Sequence, residues 1–531
     1  LPALKKTIES TDQKDINSSC MVAMAKVGRN HPDFKLVDVF RPRLSRNIQE
    51  VSESAALAIG IAALPDSTNV ELLASLATDG QLGRDATSQA QVNDRTRSFS
   101  CYGLGLLAYR NSDIALKRQC FEALAELVSD DKVSSRNLKV AAINGIGLLN
   151  ISAVDDEGKK LLGEALECLE AYYMKPLGSG QQLLQSHVPP AIAKLLGKDY
   201  PDEKVVNDYK KLFAADLQEK GKTKRNSNDV PRSTVLALGQ LCKPVNDIKA
   251  DADAEYVKLL LDTWKNHKDQ QTRNFAMLAL GQIGGTAVRS ILLKEFDKAG
   301  KSLEKPWVAM AMGVFAFEKY EGEKAAGRSI EVESEFGRTL EKALDEVKDP
   351  NAVSSFAVAL GLIQYQNSAD KLRAMLTKNL NKDVLAGYIC IGLALMGANG
   401  AKEDIRNVVD KSIRRPDRLK QAAIALGKLG DKTVADQLQQ LLSDGDENLA
   451  KLSAVASALG FIGDRRTIEP LKVMMQNESL TPLSRAFAAV ALGGVGDKEP
   501  LPWNSKIGVD MNYRAAVETL TDSQAGILDI L

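Results

Sequence analysis

Of the 531 residues only three are histidine, His31, His187 and His267, and only 5% are aromatic. The histidines are far apart in the chain and none has a partner three or four residues away, the spacing a helix-borne metal site needs. No metal is expected. The aromatic shortage, with Ala, Leu and Gly carrying much of the apolar content, favours closely packed helices over a β-sandwich or barrel. Surplus charge is missing as well. Lys plus Arg is 69 and Asp plus Glu is 69, whereas affinity for nucleic acid comes largely from excess Lys and Arg facing phosphates. No nucleic acid is expected as a partner. Long apolar runs are absent too: the nearest candidate, Val140 to Val154, is broken by Asn144, Asn150 and two glycines, so no membrane span is expected. Six cysteines without a CxxC pair make no disulfide framework. Cys101 and Cys390 stand where neighbouring segments carry small residues, and read as buried helix-packing thiols.

Catalytic constellations are the next absence. Gly221-Lys222-Thr223 resembles the end of a phosphate-binding loop, but Asp216 stands where its leading glycine belongs and no strand precedes it. Gly103 to Ala108 fits GxGxxA, yet it lies inside a helical stretch rather than after a strand. Gly178-Ser179-Gly180 lacks the strand and elbow of a hydrolase nucleophile. No cofactor is expected, and the chain reads as a non-enzyme.

What is present is repetition. A small-residue helix ending in Ala-Leu-Gly, or a near variant, returns with its glycine at positions 60, 105, 147, 239, 281, 313, 361, 392, 427, 460 and 493. A degenerate copy around Ala191 to Gly197 puts Lys194 at the glycine's place. The steps are 45, 42, 47, 45, 42, 32, 48, 31, 35, 33 and 33 residues, and such periods mark stacked repeats. The clearest copies show the internal plan. Thr433 to Leu442 carries Val434, Leu438, Leu441 and Leu442 on one helical face; Ser443 to Asp446 forms a turn; Leu449 to Ile462 is a second, alanine-rich helix closed by Gly463-Asp464. The architecture expected is all-α, an α-solenoid of about twelve helix-turn-helix repeats. Its close helix approach depends on Ala and Gly, and each unit buries its core only against its neighbours.

These residues resemble HEAT repeats, especially the short bacterial class that includes the phycobilisome lyases. The pattern A-x-x-A-L-G-x-[IL]-G-D is complete in Ala422 to Asp431 and one residue off in Val455 to Asp464 and in Ala488 to Asp497. The family's arginine near the start of the second helix stands as Arg97, Arg273 and Arg485, each eight residues before its glycine. It is replaced by Val353, Leu419 and Leu452 elsewhere, so a continuous arginine ladder is not expected.

The chain divides into residues 1–50, a cap or lead-in; 51–497, the solenoid; and 498–531, a tail. Three insertions, Asp79 to Asp94, Asp216 to Asn228 and Tyr320 to Glu333, are expected as loops. The tail is unusual, because Trp503 follows two prolines and Gly526 to Leu531 is almost wholly apolar. It either covers the last hydrophobic face or docks on another molecule. Candidate partner-binding residues are Trp503, Tyr513, Arg514, Ile527 and Leu528 in the tail, with Arg414, Arg415 and Arg418 in the densest basic run.

Three functions fit these features. The first is a non-catalytic scaffold that binds a protein or peptide along the solenoid surface. The second is a structural subunit of a larger or self-assembled complex, connected through its tail. The third, implied by the resemblance alone, is a bilin-lyase-like accessory enzyme, which would need a pigment-binding cysteine or acidic cleft. The partner's identity and the oligomeric state are not encoded legibly. Leu1 in place of Met fits a processed exported protein and a trimmed cytoplasmic one alike, so the compartment stays open.

Overall fold

The computed structural model describes residues 1–221, 225–300, 303–431, 433–443 and 448–496, and every regular element among them is a helix. Local chemistry sets the boundaries. Asn93, Asp269, Asp349 and Asn448 each accept a backbone N–H of the helix they precede, satisfying donors that the first turn leaves orphaned. Gly28 and Gly463 close two helices in the left-handed conformation, with φ of 64° each.

The helices fall into pairs. Among the described residues, thirteen second helices carry the repeated small-residue phrase or stack among those that do. They are α1 (Lys14–Val27), α2 (Gln49–Ala62), α3 (Asp94–Arg110), α4 (Arg136–Gly147), α5 (Val188–Leu196), α6 (Asp229–Leu241), α7 (Gln270–Ile283), α8 (Lys305–Ala325), α9 (Pro350–Ile363), α10 (Asp383–Leu395), α11 (Pro416–Lys428), α12 (Leu449–Ile462) and α13 (Pro482–Gly496). A first helix precedes each, from Pro2–Glu9 before α1 to Ile468–Gln476 before α13. The fold is an all-α solenoid of HEAT-like pairs.

Two compact units divide the described residues: 1–195 with those from 439 on, and 196–438. In the first, second helices stack in the order α12, α13, α1, α2, α3, α4. The stack therefore joins the last described helix to one near the beginning. A Cβ on Gly493 of α13 would lie 2.8 Å from the Ala23 Cα of α1, so only glycine allows this approach. Between α2 and α3 the helices come closer still, since a Cβ on Gly60 would lie 2.2 Å from the Gly103 Cα. Residues 1–50 hold Pro2–Glu9, α1 and the short Leu36–Phe40 helix, and α1 is buried from Ile16 to Ala25. The second unit stacks α6, α7, α8, α9, α10 and α11 in chain order.

The stretches expected as loops are more ordered than their composition suggests. Within 79–94 a helix runs from Gln81 to Thr87. Asp79 explains it: its carboxylate pairs with Arg84 at 2.8 Å and accepts the Val92 N–H at 2.7 Å, tying both ends of the segment to one half-buried acid. Helix α8 continues through Ala325, so the first part of 320–333 is helical, and Tyr320 is buried. Its hydroxyl donates to the Ile363 carbonyl at 3.1 Å and accepts the Glu333 N–H at 2.9 Å. In 216–228, Lys222 and Lys224 lie outside the described residues, while Arg225 pairs with buried Asp216 at 2.9 Å.

Candidate functional site

The basic residues come first, because the sequence singled them out. Arg418 is buried at the start of α11. It donates to the Ser412 hydroxyl at 2.7 Å and the Lys411 carbonyl at 2.6 Å, bonds the Leu380 carbonyl, and pairs with Asp383 at 3.1 Å. Arg415 is exposed and pairs with Asp383 at 3.0 Å; Arg414 is exposed beside it. The structure thus gives Arg418 a packing role and leaves Arg414 and Arg415 on the surface. Trp503, Tyr513, Arg514, Ile527 and Leu528 lie outside the described residues.

Arg418 belongs to a wider set. Arg97 donates to the Ala77 carbonyl at 2.9 Å and Arg485 to the Met475 carbonyl at 2.8 Å, each at the C-terminus of the first helix of its own pair. Lys139, also eight residues before its glycine, reaches the carbonyls of Leu127, Val128 and Asp130 at 2.7, 3.0 and 2.7 Å. Gln185 does the same to Tyr172, Tyr173 and Lys175, at 3.0, 2.9 and 2.9 Å. Carbonyls at a helix end have no partner within the helix and carry the negative pole of its dipole, which is why a cation there is favourable. Arg273 makes no such bond among the described residues. Capping within a pair, rather than a ladder facing a ligand, explains why the arginine can become lysine or glutamine or shift by one position.

Buried acids are similarly occupied. Lys210 and Asp253 form a buried pair at 2.6 Å, and the second Asp253 oxygen accepts the Lys243 N–H at 2.7 Å. Glu53 on α2 has no exposed side-chain surface, and burial pushes its pKa up to about 6; Arg95 pairs with it at 3.0 Å. Burial also pushes the Cys101 and Cys390 thiols up to about 12, which fits inert packing cysteines. The GxGxxA match at 103–108 lies inside α3, where both glycines serve helix contact. Among the described residues no group of three or more His, Cys, Asp or Glu could hold a metal ion, and no helix is long and apolar enough to cross a membrane.

The surface that remains is a stripe on the second helices, at ten, six and three residues before the marked glycine and one after it. On α7 it holds Gln271, Phe275, Leu278 and Gln282, all half-buried. On α8 it holds half-buried Trp307 and Met310, with exposed Leu303 just before the helix, while Val314 after the glycine is buried. Phe275 and Trp307 meet edge to face, with ring centroids 6.4 Å apart at 71°. The neighbouring α6 adds half-buried Leu236 and Gln240, and a Cβ on Gly239 would lie 2.9 Å from the Ala279 Cα, so α6 and α7 pack tightly. The sequence reading missed this patch. Its signal was a bulky aromatic six residues before the glycine, where Ser54, Ala141, Ser233, Ala386 and Ala454 stand in other copies, although Phe99 and Phe487 are aromatic there too.

The family profile described as HEAT repeats matches residues 412–491. Among solved structures, the crystal structure of Kap121p aligns at 14% identity and a TM-score of 0.38, covering 92% of this chain and 52% of that one. Yeast importin-beta (Kap95p) aligns at 13% identity and a TM-score of 0.40, covering 87% of this chain and 62% of that one. The chain thus spans about half to three-fifths of these relatives' length. No curated protein matches the chain. At such identities and scores the fold rests on the helix pairs themselves and on the family match.

Proposed function

We propose that this α-solenoid of HEAT-like repeats is a non-catalytic scaffold that holds a protein or peptide partner along the open stripe of its second helices. The observation carrying this reading is the aromatic patch of α7 and α8. Phe275, Leu278, Trp307 and Met310 present apolar surface to solvent at neighbouring positions of two packed helices. Aromatic residues and methionine are enriched at protein interfaces, where a few well-packed side chains supply most of the affinity. The flanking Gln240 and Gln271 offer neutral donors and acceptors suited to a partner's backbone. None of these named side chains is charged, which suits a protein rather than a polyanion.

The test is a pull-down from extract of the source organism, comparing the full chain with Phe275→Ser and Trp307→Ser variants whose helicity is verified by circular dichroism. Partners retained by the native chain and lost from both variants are expected. Retention of every partner by both variants would remove the reading.

A further inference from the structure

One apolar face of the first unit has no cover among the described residues. Phe461 on α12 and Leu483 on α13 are 37% and 38% exposed, and Phe487 and Val490 are half-buried. Leu483, Phe487 and Val490 recur at steps of four and three, which places them on one side of α13. Helices α12 and α13 pack directly, so both contribute to one surface. The other sides of α13 are taken: α12 lies on one, α1 on another through Gly493 and Ala23, and Ile468–Gln476 on a third. The flank that would continue the stack is therefore already occupied. What stays open is the stripe.

The chain continues from Gly496, at the end of α13, for 35 residues outside the described ones. Within them Tyr513, Val517 and Leu520 recur at the same steps of four and three, followed by Ile527 and Leu528. The segment 513–531 carries three acids, Glu518, Asp522 and Asp529, against one arginine, Arg514. The basic residues Lys26, Arg29 and Arg465 lie at or just past the C-terminal ends of α1 and α12. Reach is ample, since residues 497–512 can extend roughly 50 Å, about twice the ~22 Å length of α13.

We propose that residues 513–531 of the same chain lie on the α12–α13 stripe, apolar residues inward and acids toward Lys26, Arg29 and Arg465. The tail then acts as an internal occupant of this face, competing with any external partner for it.

Hydrogen exchange read by mass spectrometry on the full chain tests this, at several protein concentrations. Amides in 513–531 should exchange at least about tenfold more slowly than in a free peptide of that sequence. A Phe461→Asp, Leu483→Asp double variant should return them to the peptide rate while α2 to α4 stay as protected as before. Both substituted side chains are exposed, so the fold should tolerate them. Reciprocally, Val517→Asp with Leu520→Asp should raise exchange in α13. Peptide-rate exchange in the native tail would overturn the proposal, as would protection that survives the stripe variant. Protection lost on dilution would also overturn it, by assigning the face to a second copy of the chain.

Discussion

Helices α2 and α3 of the first unit and α7 and α8 of the second share one phrase in one register, yet they treat the same positions in opposite ways. On α2 the stripe residues Ser54, Leu57 and Ile61 are 0%, 0% and 1% exposed; on α7 the equivalents Phe275, Leu278 and Gln282 are half-buried. The small-residue phrase thus specifies how closely two second helices approach. It does not specify what covers the side turned away from that contact. In α2 and α3 the stripe is part of the core, so Ser54 and Glu53 are polar groups held inside it. In α7 and α8 it is surface, and bulky aromatic residues can serve recognition there.

The largest way to break this comparison is to add one methyl group in each kind of place. Gly60→Ala drives a Cβ into the Gly103 backbone, with no flexible side chain to yield. A loss of about 3 kcal/mol is expected, seen as a lower first transition in thermal unfolding. Gly322→Ala, on exposed α8 surface with nothing within 4 Å of the new carbon, should stabilise by roughly 0.5–1 kcal/mol through helix propensity. Equal effects at both sites would erase the contrast.

A stripe exchange sharpens it. Ser54→Phe overfills a closed site and should cost about 1–3 kcal/mol in denaturant unfolding. Trp307→Ser on the open stripe should cost less stability and act mainly on binding, so a larger stability loss at Trp307 than at Ser54 would contradict the assignment of open and closed faces.

The smallest effect is electrostatic. Burial raises the Glu53 pKa to about 6, with Arg95 pulling the other way. The folded state then holds a proton between the ordinary glutamate range and pH 6 that the unfolded chain has released, so the native protein loses stability as pH rises through that window. Glu53→Gln removes the titration. Its stability relative to the native chain should be highest near pH ~7 and decline as pH falls below about 6; a pH-independent difference would show that burial does not shift the Glu53 pKa from its value in the unfolded chain.

The fold was legible because it is written many times: turn, cap and glycine recur at each copy, and errors in one unit are corrected by the next. Segments seen once were harder. The polar composition of 79–94 hides a helix because Asp79, thirteen residues from its Val92 partner, supplies the tie. Arg418 looked like surface charge for the same reason, as its Leu380 and Asp383 partners lie far back in the chain. The aromatic patch was readable in principle, as a departure from small residues at one register position, but only burial shows that Phe275 faces solvent while Phe99, in the same register, does not.

The seam between α1 and α13 has a consequence for biogenesis. These neighbours are separated by nearly the whole described chain, so their contact has a very high sequence separation and closes late. As the chain emerges from the ribosome, the side of α1 that faces α13 must wait, unpartnered, until α13 is made. The second unit, whose helices stack in chain order, can fold as it appears. Helix α1 is thus made before α13 but finished only with it, and it is there that a chaperone would have the longest time to act.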